Sequence, residues 1–212
     1  MEAPRRMKWS EKFFAFTSSD GTPVFISRSA KTHETLFAKM EDADIFVRAN
    51  FVDAAWVALK SGASEISIKE AVEFAAAFSN HWTQDAGAFC VKKNQLQKII
   101  PTGELLAKGY FFIAEPRIWF KEVEQKLCIG VFVDAQNKTA KLITGPVLAT
   151  RKNSNYFVTL TPGAEKNIDE LCADIKNRIM LKAAPEHKPA IDAISVEEIK
   201  PWIPGAKSDL VG

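Results

Sequence analysis

Three histidines and three cysteines are the side chains of this 212-residue chain with the widest chemical range. Zinc binding or nucleophilic catalysis would need them at ligand or triad spacing. His33, His81 and His187 are scattered, with no H-E-x-x-H run and no neighbouring cysteine. Cys90, Cys128 and Cys172 are odd in number and form no C-x-x-C pair, which argues against a disulfide framework and for a reducing compartment. The ten glycines contain neither a P-loop nor a G-x-G-x-x-G spacing. No metal, cofactor or catalytic residue is therefore expected. An enzyme reading would rest on Glu104 alone, and a lone carboxylate in a turn is more often a structural hydrogen-bonding group.

Charge and exposed rings are the chemistry that remains. The 28 Lys and Arg nearly balance the 26 Asp and Glu, for a net charge of +2, so whole-chain charge argues neither for nor against nucleic acid. The balance hides an asymmetry. From Lys31 to Ser79 five basic residues face eight acidic ones, whereas Ala88 to Lys121 holds six basic against two acidic, and Lys138 to Lys182 eight against four. Two basic segments on an acidic-leaning frame can build a local positive face. Of the five tryptophans, Trp56 and Trp82 sit in apolar company and read as core. Trp119 lies beside Arg117 and Lys121 and is the ring best placed to stack on an unpaired base.

The elements that must position these side chains are set by period and punctuation. Phe13 to Phe16 and Pro23 to Ile26 flank Ser18-Ser19-Asp20-Gly21, which predicts a hairpin over Lys12 to Ser27. Lys31 to Met40 has helical spacing. Asp44 to Asn50 and Ala54 to Leu59 read as an antiparallel strand pair. Ser67 and Glu70 fit a capping box for a helix reaching about Trp82. Ala88 to Val91 is a short buried strand, and Gly109 to Ile113 a strand entered through glycine. Leu127 to Val133, Thr139 to Thr144 and Tyr156 to Thr161 read as strands, with a short helix over Val147 to Lys152. Ile168, Leu171, Cys172, Ile175 and Ile179 stripe a later helix. After Lys182 four prolines suggest a tail with one helical turn near Ser195 to Ile199. The pattern predicts an α+β fold, mostly antiparallel sheet with flanking helices, plus a C-terminal strand-hairpin and helix extension.

No apolar run approaches the roughly 18 residues of a membrane span, since Val72 to Phe78 is interrupted by Glu73. The first eight residues carry positive charge with no apolar segment behind them, so no export signal is expected and the cytoplasm is the expected location.

Phe13 to Ile26, the string Asp44-Ile45-Phe46-Val47-x-Ala49, Ala54-Ala55, and the later Pro101-Thr102-Gly103-Glu104 and Gly109-Tyr110-Phe111-Phe112-Ile113 together resemble the NFACT-R domain, over roughly Met7 to Phe120. Gly145-Pro146 and Thr161-Pro162-Gly163 more weakly resemble the segment C-terminal to that domain in archaeal members. The resemblance implies an α+β RNA-binding module of ribosome-associated quality control, here a standalone version: an NFACT-R-like domain over 7–122, an α/β extension over 123–182 packed on it, and a Pro-containing tail over 183–212. Implied partners are RNA, as tRNA or large-subunit rRNA, and other quality-control proteins, with no membrane. The sequence departs from the family in two places. V-H-A-D becomes Val47-Arg48-Ala49-Asn50, which removes any proton-transfer role for the His/Asp pair while leaving a permanent cation. The glycine and lysine pair after the F-x-I strand becomes Ala114-Glu115-Pro116-Arg117.

The expected RNA contacts are Arg28, Arg48, Lys92, Lys93, Lys98 and Arg117 on phosphate, with Trp119 stacking. The competing expectation is a protein-interaction adaptor that uses Ile191, Ile194, Ile199, Trp202 and Ile203 of the tail.

Overall fold

The computed structural model describes residues 13–79, 81–82, 86–165, 167–205 and 207–211. Trp9, and Lys12 at the start of the expected hairpin, lie outside them.

The hairpin forms as β1 (Phe14–Thr17) and β2 (Pro23–Ser27), in antiparallel register with Phe16 opposite Val24. Gly21 takes φ +94° in the turn, the left-handed region where only glycine is unstrained. Helix α1 (Ala30–Lys39) starts at Ser29, which shares a reciprocal cap with Thr32. Strands β3 (Ile45–Ala49) and β4 (Trp56–Leu59) pair antiparallel as expected.

Helix α2 (Glu65–Ala77) corrects the expected cap. Its N-cap is Ser64, whose hydroxyl accepts from the Ser67 N–H, and the helix ends before Trp82. Ser67 is buried one turn inside and donates its hydroxyl to Asp20. That carboxylate also receives the Ser18 and Ser64 hydroxyls, so the hairpin turn is tied to the helix start. The S-x-x-E pattern sits one turn too late: Ser64 takes the cap, and the Glu70 carboxylate accepts from the Ser19 N–H of the hairpin turn.

Strand β5 (Ala86–Lys92) pairs with β3. After it come the short β6 (Leu96–Gln97) and β7 (Phe112–Ile113), and then β8 (Ile118–Val123), which pairs with β5 and which no alternation in the sequence had marked. The resulting sheet runs β1-β2-β4-β3-β5-β8, every pairing antiparallel. Its two faces bury different cores. Val47, Val57, Leu59 and Cys90 meet α2 on one side; Phe46, Trp56, Phe89 and Val91 meet Leu36 and Met40 on the other. Period-two alternation along β3, β4 and β5 is what splits them.

A second antiparallel sheet is built from β9 (Leu127–Asp134), β10 (Thr139–Gly145), β11 (Tyr156–Glu165) and β12 (Lys207–Val211), in the order β10-β9-β11-β12. Helices α3 (Val147–Asn153), α4 (Ile168–Lys182), α5 (Lys188–Asp192) and α6 (Val196–Ile199) cover it. Its core is continuous with the α2 core: Leu127, Ile129 and Ile175 belong to the same buried cluster as Phe74 and Val57.

The C-terminal residues do not trail. Ile191, Ile194, Ile199 and Ile203 are buried in that cluster, and β12 closes the sheet against β11. The Trp82 indole N–H donates to Ser208 Oγ at 2.9 Å, and the Trp202 ring meets Phe14 edge-on at 4.6 Å. The expected helical turn near Ser195 is α6, capped by Ser195 and Glu198 reciprocally.

Candidate nucleic-acid interface

Directly paired residues of antiparallel strands point to the same face, with Cβ atoms about 5 Å apart. Trp56 is opposite Arg48, Arg48 opposite Phe89, and Phe89 opposite Trp119. Four side chains from β4, β3, β5 and β8 therefore form a row across the face away from α2. The row is buried at one end, where Trp56 is 1% exposed, and open at the other, where Trp119 is 47% exposed.

Cations are layered on these rings. The Arg48 guanidinium lies 5.0 Å from the Trp56 ring centre, and Arg117 lies 5.2 Å from Phe89 and 5.6 Å from Trp119. Arg117 also pairs with the neighbouring Glu115 carboxylate at 2.8 Å. Phe89 and Trp119 are 5.4 Å apart. Lys121, two residues beyond Trp119 on β8, takes the same face by alternation and is exposed, without an ion-pair partner among the described residues. Tyr110, 52% exposed, and Asp53 stand within electrostatic reach of Arg48. The open end thus presents a flat ring, a free ammonium and guanidinium planes, which together suit a stacked base and its flanking phosphates.

Arg48 is also structural. Its Nε donates to the Ala54 carbonyl at 3.2 Å and a terminal nitrogen donates to the Val52 carbonyl, so it fastens the β3–β4 turn. Burial lowers its pKa from the usual arginine value, yet a guanidinium stays charged at neutral pH. His33 lies nearby, its ring nitrogens facing the Ser27 carbonyl at 3.1 Å and the Gly109 carbonyl at 3.3 Å. Burial, helped by Arg48, outweighs those carbonyls and lowers its pKa.

The other expected contacts are placed differently. Lys98 donates to Glu34 at 2.6 Å and to the Ala107 and Tyr110 carbonyls, over the Phe111 ring. Lys93 donates to the Met40 carbonyl at 2.7 Å, near Asp42 and over Phe37. Both are anchors of the loop cover on the α1 face. Arg28 sits between Phe14 and Phe78 and donates to the Pro201 carbonyl at 2.8 Å, which fastens the C-terminal segment to the hairpin. Lys92 is exposed, but it comes directly after Val91 along β5 and takes the opposite face. The structure therefore brings Arg48, Arg117 and Trp119 together and leaves Arg28, Lys92, Lys93 and Lys98 off the row.

Sequence reasoning missed Lys121 and Tyr110. Lys121 was legible only once β8 was recognised as a strand, since period two then pairs it with Trp119.

All three cysteines are buried, and burial raises each thiol pKa, that of Cys172 to about 11. No group of three His, Cys, Asp or Glu able to hold a metal occurs among the described residues. Glu104 is exposed in a turn whose backbone closes on Ile100. Among the described residues no helix is long and apolar enough to cross a membrane.

Residues 12–115 match the family described as the NFACT protein RNA binding domain. The archaeal Rqc2 homolog aRqcH of Methanocaldococcus jannaschii is 28% identical over 165 residues, 74% of this chain and 24% of that protein. The ribosome quality control complex subunit NEMF homolog of Drosophila melanogaster is 32% identical over 116 residues, 51% of this chain and 12% of that protein. A solved structure, the C-terminal of the fibronectin/fibrinogen-binding protein from Streptococcus suis, aligns with TM-score 0.45 at 16% identity, covering 58% of this chain and 48% of that one. The chain spans about a quarter or less of the length of these two curated relatives.

Proposed function

Because residues 12–115 belong to the NFACT RNA-binding domain family, we propose that this chain is a non-enzymatic, cytoplasmic RNA-binding protein of ribosome-associated quality control. It engages tRNA or large-subunit rRNA through the open end of the Trp56–Arg48–Phe89–Trp119 row. The single observation that carries the reading is the strand register, which sets an exposed tryptophan between Arg117 and Lys121 on one face of an edge strand.

Binding divides between the two kinds of group. Lys121, Arg117 and the outer edge of Arg48 meet phosphates, while Trp119 stacks on a base that is already unpaired. Affinity then falls with salt, by about 0.7 in log affinity per log salt for each single-strand phosphate neutralised. Other quality-control proteins are proposed as further partners.

Titration of a single-stranded RNA and of purified large ribosomal subunits at two salt concentrations tests the reading. Wild type binds with a salt slope of at least one phosphate, and Trp119→Ala with Lys121→Glu removes most of the affinity. Salt-independent binding, or full affinity in that double variant, overturns it. The adaptor alternative loses its tail surface, since Ile191, Ile194, Ile199 and Ile203 are buried against their own chain.

A further inference from the structure

On the α2 side of the first sheet lies a groove of about 660 Å³ that the RNA-facing row does not use. Its apolar floor comes from Ile68 and Val72 of α2 and from Ile118 and Phe120 of β8. Glu65, Glu73, Glu122 and Glu124 also line it, and among the described lining residues Lys69 is the one cation. Strand β8 is the last in the sheet order, so its outer backbone donors and acceptors have no ladder partner among the described residues. Ile118 is 65% exposed on this face.

An unpaired strand edge is a template for another strand, and proteins that do not use such an edge usually shield it. Here the edge stands directly over an apolar trough with acidic walls. We propose that the β8 edge and this groove receive an extended segment of another protein whose inward side chains alternate between apolar residues and lysine or arginine.

The added segment would continue the antiparallel ladder along Ile118–Val123. Its alternate side chains would point into the groove, where the apolar ones cover Ile118 and Phe120 and the cationic ones reach Glu73 and Glu122. Main-chain pairing supplies affinity, and the two carboxylates supply selectivity for a basic segment. Burial, with Glu70 and Glu124 adding to it and Lys69 and Lys126 opposing, raises the Glu73 pKa to about 6, so an arriving cation would relieve an unfavourable charge. A second copy of this chain is a poor occupant, since pairing β8 with β8 sets two acidic rims against each other. The inference does not depend on RNA binding: Trp119 and Lys121 take the opposite face of β8.

The test uses the full chain and a labelled nine-residue peptide with lysine and valine alternating at odd positions and threonine at even ones. Fluorescence anisotropy is expected to show saturable binding, with slowed amide exchange along Ile118–Val123. Glu73→Gln with Glu122→Gln should weaken it at least fivefold while RNA affinity is unchanged. Ile118→Lys, at an exposed position the fold tolerates, should abolish it. Absent saturation, equal affinity for the same peptide with glutamate replacing lysine, undiminished binding by the double variant, or protection of β8 through self-association would each overturn the proposal.

Discussion

The Lys98 ammonium and the Glu34 carboxylate meet at 2.6 Å, and the same Glu34 oxygen accepts the Gly109 N–H at 2.7 Å. One carboxylate therefore fastens two points of the 96–113 loop onto α1. Gly109 itself has φ +86°, and a Cβ there would meet the Ala30 Cα at 2.6 Å, so the contact requires glycine twice over. Burial raises the Glu34 pKa, but the Gly109 N–H and Lys98 outweigh it and hold the carboxyl below its ordinary value. A depressed carboxylate stabilises the fold above its unfolded pKa and loses that contribution as pH falls through its folded value.

Lys98→Ala should accordingly destabilise the protein by about 1–3 kcal/mol at neutral pH, because it strands Glu34 and two carbonyls. Denaturant unfolding at pH 7 and pH 3 checks it, with the difference from wild type shrinking at the lower pH as Glu34 becomes protonated. RNA affinity measured on the folded variant should change less than in Trp119→Ala.

Trp119→Ala should leave thermal stability close to wild type, since the ring is half exposed, and should weaken single-stranded RNA binding by about tenfold, the loss of one stacked base. Duplex RNA, which offers no unpaired base, should be much less affected. Equal losses on both would place the ring outside the interface.

Arg48→Lys keeps the charge and discards the planar fork that reaches the Val52 and Ala54 carbonyls. We expect a stability loss of about 1 kcal/mol and faster amide exchange across residues 50–54. The salt slope of RNA binding should remain near the wild-type value, because the cation count is unchanged.

Glu73→Gln carries the opposite sign from Lys98→Ala. Burial raises the Glu73 pKa to about 6 from its ordinary 4.5, so the folded state binds the proton more tightly than the unfolded chain. Wild-type stability should then fall as pH rises from about 4.5 to about 6, and Glu73→Gln should remove that decline. After solvent screening of this partly exposed group, the gain at pH 7 should be about 1 kcal/mol. A variant less stable than wild type at pH 7 would contradict the assignment.

Much of this architecture was written locally. The Phe and Val alternation around Ser18-Ser19-Asp20-Gly21 specified the hairpin, and the stripe from Ile168 to Ile179 specified α4, because period and turn chemistry act within a few residues. The family resemblance over Phe13 to Ile113 was legible for the same reason, as a string of contiguous motifs. Strand β8 was not, since its exposed pattern Ile118-Trp119-Phe120-Lys121 buries too little to stand out. The Ser67 cap failed because Ser64 accepts the Ser67 N–H and starts the helix there, which leaves Ser67 buried inside it with its hydroxyl donated to Asp20, 47 residues earlier.

The sequence by itself determined the α+β class and the elements whose period and turns are local, such as the β1–β2 hairpin, the β3–β4 pair and α4. Only the tertiary structure decided which cations remain available to a ligand. Lys98 is spent on Glu34, 64 residues away, and Arg28 on Pro201, 173 residues away, whereas Lys121 stays at the open edge and Arg117, paired with its neighbour Glu115, lies over the Trp119 ring. A side chain's type is a local fact, but whether it faces solvent or a distant carbonyl is set by chain closure, which no short stretch of sequence encodes.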